Sequence, residues 1–292
     1  MPWIQIHLTT DKRNAPLAEL MLDGLGAVSI TMEDAKDEPM LEPAPGETPL
    51  WSQTRVTGLF PEESNQSLLI ASIREELKTD AIIELTVERL ADQVWERVWL
   101  ESFRPMQFGQ HLWIAPDGQT PDAANAITLQ LDPGLAFGTG THPTTALCLK
   151  WLDQADVADK TVVDFGCGSG ILSIAALLLG AKQAFAIDHD PQALEATADN
   201  ADKNSVMEAL TILHSEQPLN VTADITLANI LASTLIELEP LFATHTKSGG
   251  QIILSGILEE QIDSVVTAFN DNFSLQLPTI EDGWALLQGH RR

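Results

Sequence analysis

Apolar and polar residues alternate from the first few positions, so Trp3 to Thr9 reads as a half-buried strand. The period then becomes helical over Pro16 to Leu25, where Leu17, Leu20 and Met21 share spacing and Gly24 and Gly26 act as stops. Ala27 to Met32 and Arg55 to Phe60 read as two further strands. Between them lies an acidic, Pro-rich loop from Asp37 to Pro49. Ser64 is expected to cap a helix to about Lys78, with Leu68, Leu69, Ile73 and Leu77 on one face. Ile82 to Leu90 supplies a fourth strand, and the order β-α-β-β-α-β is that of a ferredoxin-like split βαβ unit.

A Trp-rich stretch follows, with Trp95, Trp99, Phe103 and Trp113, and Arg104-Pro105-Met106 interrupting any helix. Its aromatics suit a helical face packed on one domain, or a hinge or substrate wall. From Leu112 onward strands and helices alternate at lengths that suit βαβ units and a parallel sheet. The expected architecture is α/β: a small α+β ferredoxin-like domain over 1–92, a Trp-rich linker over 93–111, and a doubly wound domain over 112–292.

Charge alters this picture. Forty-two acidic residues oppose sixteen basic ones, giving a net charge of −26 spread over both halves. Such a field repels phosphate backbones, so direct binding of nucleic acid is not expected; it reads first as a solvated acidic surface that keeps the protein soluble, and second as a preference for Lys/Arg-rich protein partners. No apolar run approaches a membrane span, and the start has no basic segment followed by an apolar one. The two cysteines, Cys148 and Cys167, form no metal-like pair and suit a reducing cytoplasm. The protein is expected to be cytoplasmic and without metal, and to be a monomer.

Candidate chemistry centres on Asp164-Phe165-Gly166-Cys167-Gly168-Ser169-Gly170, which lies between the β-branched strand Thr161 to Phe165 and the apolar helix Ile171 to Leu179. Strand, glycine turn and helix open a nucleotide-binding doubly wound fold. A dinucleotide fingerprint G-x-G-x-x-G would place its third glycine where Ile171 stands. The pattern D-x-G-x-G-x-G instead sets an acid before the first glycine. That acid suits the zwitterionic end of S-adenosylmethionine: Asp164 receives the ammonium while loop amides meet the carboxylate. A second strand, Gln183 to Ile187, ends in Asp188, close to the spacing at which an acid takes ribose hydroxyls. Capping the helix Gln192 to Lys203 is the competing role for Asp188, and the better one for Asp190. His189 reads as an exposed turn residue.

The strand Asp224 to Ala228 ends in Asn229-Ile230-Leu231-Ala232, at the sheet edge that faces the reacting methyl group. Asn229 either orients an acceptor amine or caps the next helix. The segment Asp132 to Thr145, leading into a helix from Ala146 to Leu152, is rich in glycine and threonine and is suited to covering a cofactor. His142 within it reads as a local hydrogen-bonding residue before a catalytic base.

Leu131 to Thr145, Asp164 to Gly170 and Asn229 to Ala232 together resemble the PrmA family of ribosomal protein methyltransferases. Trp95-Glu96-Arg97 and Ser255-Gly256-Ile257-Leu258 extend the resemblance over nearly the whole chain. It implies a class I S-adenosylmethionine-dependent enzyme that methylates the N-terminal α-amine and lysine ε-amines of large-subunit ribosomal protein eleven. It also implies that the N-terminal domain recognises that protein and that the connector lets the catalytic domain reorient among several amines. By position, Thr144 and Thr145 would lie at the methionine end, Gly166, Gly168 and Gly170 in the loop, Asp188 at the ribose and Asn229 beside the methyl group. The alternatives are an RNA or DNA adenine methyltransferase, a small-molecule N-methyltransferase and a non-catalytic cofactor sensor. The first lacks a Pro-Pro-aromatic after Asn229, and the second leaves the N-terminal domain unexplained.

Overall fold

The computed structural model describes residues 3–36, 50–77, 82–90, 104–116, 118–131 and 142–292. The chain divides into two compact units, Met1–Val98 and Trp99–Arg292. The acidic loop 37–49, the aromatics Trp95, Trp99 and Phe103, and the segment 132–141 of the Gly/Thr-rich motif lie outside the described residues.

The first unit runs β1 (Trp3–Asp11), α1 (Ala15–Gly24), β2 (Ser29–Asp34), β3 (Gln53–Pro61), α2 (Gln66–Glu76) and β4 (Glu84–Leu90). Its strands form one antiparallel sheet in the order β2-β3-β1-β4. Alternation along β1 turns Ile4, Ile6 and Leu8 into a core closed by Leu22 of α1, Ile73 of α2 and Phe60 of β3, all at most 1% exposed. Two local expectations fail. Asn65, not Ser64, caps α2, its side chain accepting from the amide of Leu68. Leu68 itself is 64% exposed. Adjacent residues of a helix stand about 100° apart, so with Leu69 and Ile73 turned to the core Leu68 falls on the solvent side.

The second unit opens with a small sheet of β5 (Met106–Phe108), β6 (Leu112–Ala115) and β7 (Ile127–Gln130). Thus the described part of the expected linker pairs as a strand with β6, the strand that carries Trp113. Then come α3 (Pro143–Gln154), β8 (Thr161–Phe165), α4 (Ile171–Leu178), β9 (Gln183–Asp188), α5 (Pro191–Lys203) and β10 (Leu210–His214). The chain continues as β11 (Ala223–Asn229), α6 (Ala232–His245), β12 (Thr246–Leu258), α7 (Ile262–Phe269), β13 (Phe273–Leu275), β14 (Thr279–Glu281) and β15 (Trp284–Arg291).

The large sheet has the order β10-β9-β8-β11-β12-β15-β13, with β14 also on β15. From β10 to β12 neighbouring strands are parallel, and β15 is antiparallel to β12. The chain winds outward from β8 to β10 on one side and from β11 to β12 on the other. The order therefore switches between β8 and β11, where a doubly wound sheet opens a crevice at the carboxyl ends of its strands. Both faces of the sheet are covered, which explains why β8 is buried along its whole length. The period of two sends Val162 to the layer of α3 and α4, and Val163 and Phe165 to the layer of α6 and α7.

One carboxylate fastens the small sheet to α3. Asp153, in the last turn of α3, accepts hydrogen bonds from the amides of Gln110, His111 and Leu112. Its side chain is 1% exposed, so truncation leaves three amides without their acceptor. Asp153→Ala is expected to cost about 2–4 kcal/mol, seen as a lower denaturant midpoint; an unchanged midpoint would show that the clasp contributes nothing.

Candidate active site

At the switch point the end of β8 carries Asp164, on the same face as Val162 and therefore towards α3 and α4. Its side chain is fully buried. The hydroxyl of Ser173 donates to Oδ2 at 2.7 Å and the amide of Ser173 donates to the same oxygen at 3.2 Å. Oδ1 is buried and has no hydrogen-bond partner among the described residues. Burial pushes the Asp164 carboxyl up to about 6, with the Ser173 hydrogen bonds pulling it down and the charge of Asp188 adding to the rise.

The glycine loop follows, and Gly166, Gly168 and Gly170 all adopt positive φ, which suits residues without a Cβ. A Cβ on Gly166 would stand 2.2 Å from Cγ2 of Ile230 in the loop after β11. The two loops that flank the crevice thus touch at this glycine. The loop amides are not free, contrary to the expectation that they meet a ligand carboxylate. Gly166 and Cys167 donate to the carbonyl of Ile187, Gly170 donates to that of Cys167, and Gly168 donates to Oδ2 of Asp188. Tertiary pairing with β9 takes up donors that the local sequence presents as open.

Asp188 ends β9 with 8% exposure. Its Oδ1 accepts from the amides of His189 and Asp190 while Oδ2 takes Gly168. Asp190 is the cap of α5, accepting from the amide of Gln192. Asp188 is free of that duty and is tied to the cofactor loop. His189 has 88% of its side chain exposed, as a turn residue should.

Asn229 closes β11 on the same face as Ile225 and Leu227, towards α3. It is not a helix cap: α6 starts after Leu231 and has no side-chain cap. Its Nδ2 donates to Oγ1 of Thr145 at 3.2 Å, which joins the end of β11 to the first turn of α3. Thr144 and Thr145 are buried there. Nδ1 of His142 pairs with Oγ1 of Thr144 at 2.8 Å and receives its amide, so His142 caps α3. Its ring meets Trp284 edge-on, with centroids 4.8 Å apart, and burial lowers its pKa.

The structure therefore brings Thr144, Thr145, Asp164, Gly166, Gly168, Gly170, Asp188 and Asn229 to one sheet edge. Two residues there escaped the sequence reading. Ser173 looks like one position of an apolar helix, and only the orientation of Asp164 gives it a role. Gly256 follows β12 residue Ser255, and a Cβ on it would lie 2.2 Å from the carbonyl oxygen of Ile230; its place in Ser255 to Leu258 was the available signal.

The family model described as ribosomal protein L11 methyltransferase (PrmA) matches residues 2–292. A ribosomal protein L11 methyltransferase of Nitrosococcus oceani is 47% identical over 292 residues, covering 100% of both chains. One from Escherichia coli O8 is 48% identical over 293 residues, again covering 100% of both. Among solved structures, a ribosomal protein L11 methylase of Lactobacillus delbrueckii subsp. bulgaricus superposes with a TM-score of 0.61 at 33% identity, covering 65% of this chain and 100% of that one.

The buried carboxylate has a consequence for stability. Its pKa is raised on folding, so its stabilising contribution is present at low pH and is lost as pH rises through about 6. For Asp164→Asn, the difference in thermal midpoint (variant minus wild type) should grow in the variant's favour from pH 5 to pH 7.5, by the equivalent of about 1.4 kcal/mol. A difference independent of pH would contradict the buried, uncompensated carboxylate.

Proposed function

Because the chain belongs to the ribosomal protein L11 methyltransferase family, we propose that it moves methyl groups from S-adenosylmethionine to the N-terminal α-amine and lysine ε-amines of ribosomal protein L11. Among the features of the cleft, the Asn229–Thr145 hydrogen bond carries the reading. It joins the residue expected beside the methyl group to the helix expected at the cofactor's methionine end.

The cleft fits this cofactor. A buried carboxylate oxygen without a partner suits an ammonium, and the glycine at 166 keeps the crevice clear of a side chain. Asp164 would hold the ammonium. With the amides of Gly166, Cys167, Gly168 and Gly170 engaged, the carboxylate falls to the start of α3 at Thr144 and Thr145. Gly166, Gly168 and Gly170 would let the backbone come close, and Asp188, braced by Gly168, would take the ribose hydroxyls. Bound S-adenosylmethionine supplies a methyl group already activated by a sulfonium.

What remains for the chain is positioning. A neutral amine attacks in line, and Asn229, with Nδ2 given to Thr145, keeps Oδ1 as the acceptor for an amine N–H. Nδ1 of His142 is engaged with Thr144, which fits a capping role better than that of a base.

The first unit supports a ferredoxin-like reading through its β-α-β-β-α-β order and its β2-β3-β1-β4 sheet. We take 1–92 as the domain that recognises the protein substrate, 93–111 as the connector and 112–292 as the catalytic domain. The net charge of −26 complements a basic ribosomal protein. Among the described residues no helix is long and apolar enough to cross a membrane. We take the protein to act as a monomer in the cytoplasm.

Peptide-mapping mass spectrometry of ribosomal protein L11, after incubation with the full chain and S-adenosylmethionine, tests the proposal. The expected result is mass gain in steps of one methyl group at the N-terminus and at lysines, with Asn229→Ala lowering kcat about 100-fold. Unmodified L11 would overturn the substrate. An Asn229→Ala enzyme at wild-type rate would remove Asn229 from the reaction.

A further inference from the structure

We propose that Ser173 is a positioning residue for the cofactor: by holding Oδ2 of Asp164 with both its amide and its hydroxyl, it presents Oδ1 to the ligand's ammonium. The proposal rests on the reading of Asp164 as the ammonium ligand and adds what aims that carboxylate and governs its ionisation.

Ser173 is the sole polar side chain in α4, whose sequence is otherwise Ile, Leu and Ala. It is fully buried. A serine in such a helix gains little from its own backbone, and here its hydroxyl reaches across to the end of β8 at 2.7 Å. Its amide, one of the first-turn donors that a helix leaves unpaired, is satisfied by the same oxygen. The two bonds fix the carboxylate in one rotation. No described group does the same for Oδ1, and an unpartnered buried oxygen is costly unless a ligand donates to it.

The surroundings make the Ser173 hydroxyl a control on charge. Among the described residues, Asp188 on β9, Cys148 on α3 and Cys167 in the loop are the titratable groups that interact with Asp164. Burial pushes both thiols up, so neither is a thiolate near neutral pH. Asp188 opposes ionisation of Asp164, and the Ser173 bonds favour it. A protonated Asp164 cannot pair with an ammonium, so cofactor affinity should fall as pH drops through about 6. Removing the hydroxyl should move that fall to higher pH.

Calorimetric titration of S-adenosylhomocysteine into the full chain between pH 5 and pH 8 reads this directly, since that ligand carries the same amino-acid end. Methylthioadenosine, which lacks that end, serves as the control. For the wild type the affinity constant is expected to fall about tenfold per pH unit below the break. Ser173→Ala should raise the break by about one pH unit, a loss of about fivefold at pH 6, about tenfold at pH 5 and less than about threefold at pH 8. Ser173→Cys, with a weaker donor, should fall between. Methylthioadenosine should bind with a flat profile throughout. Equal weakening of Ser173→Ala at every pH, or no change, would overturn the proposal by reducing Ser173 to packing. Should circular dichroism find Ser173→Ala unfolded, Ser173→Cys decides, and a break at the wild-type pH overturns the proposal. An Asp164→Asn chain with the wild-type profile would instead remove Asp164 as ammonium ligand, a separate failure.

Discussion

A carboxylate sits near the end of an inner strand of a sheet covered on both faces, and half of it is unsatisfied. That is the constraint from which the cleft follows. Asp164 stands on the face of β8 that meets α3 and α4, where water is excluded. Helix α4 satisfies one oxygen and nothing described satisfies the other. The fold bears that cost in the free chain, because burial of a charge is opposed unless it is paired. A ligand with an ammonium at that point converts the cost into affinity. Function and a small loss of stability are thus the same interaction seen with and without its partner.

Close packing around the switch point transmits this arrangement to the acceptor side. Gly166 lies against Ile230, and Gly256 lies against the carbonyl of the same residue, so the loops after β8 and β11 and the irregular stretch of β12 meet at distances that admit no side chain. Asn229, next to Ile230, is held by Thr145 at the start of α3. Asp188 is in turn held to the loop through Gly168. The groups proposed for the ammonium, the ribose and the amine therefore belong to one contiguous set of contacts, and a change at any of the glycines should disturb all three.

Much of this was legible in the residues. The strand Thr161 to Phe165 and its glycine loop are marked by β-branched residues on one side and an apolar helix on the other, so local propensity and tertiary role agree. Alternation along β1 likewise predicts its buried face. Partner choice was not legible. The amides of Gly166, Cys167 and Gly168 are presented as open by their sequence and are consumed by Ile187 and Asp188, which arrive from β9. Ser173 carries no local mark of its role, since the role comes from a carboxylate nine positions away across the strand–helix turn. Asn65 and Ser64 are both good caps, and their local sequence does not choose between them. The small sheet of β5, β6 and β7 includes a strand of three residues and another pair of four, too short for periodicity to declare them.

The central claim is that the free oxygen of Asp164 is the seat of the cofactor's ammonium. A high-resolution crystal structure of the chain with S-adenosylhomocysteine measures it most directly. The account predicts the amino nitrogen within hydrogen-bond distance of Oδ1, with Oδ2 still held by Ser173. An amino nitrogen paired elsewhere, with Oδ1 still buried and alone, would contradict it.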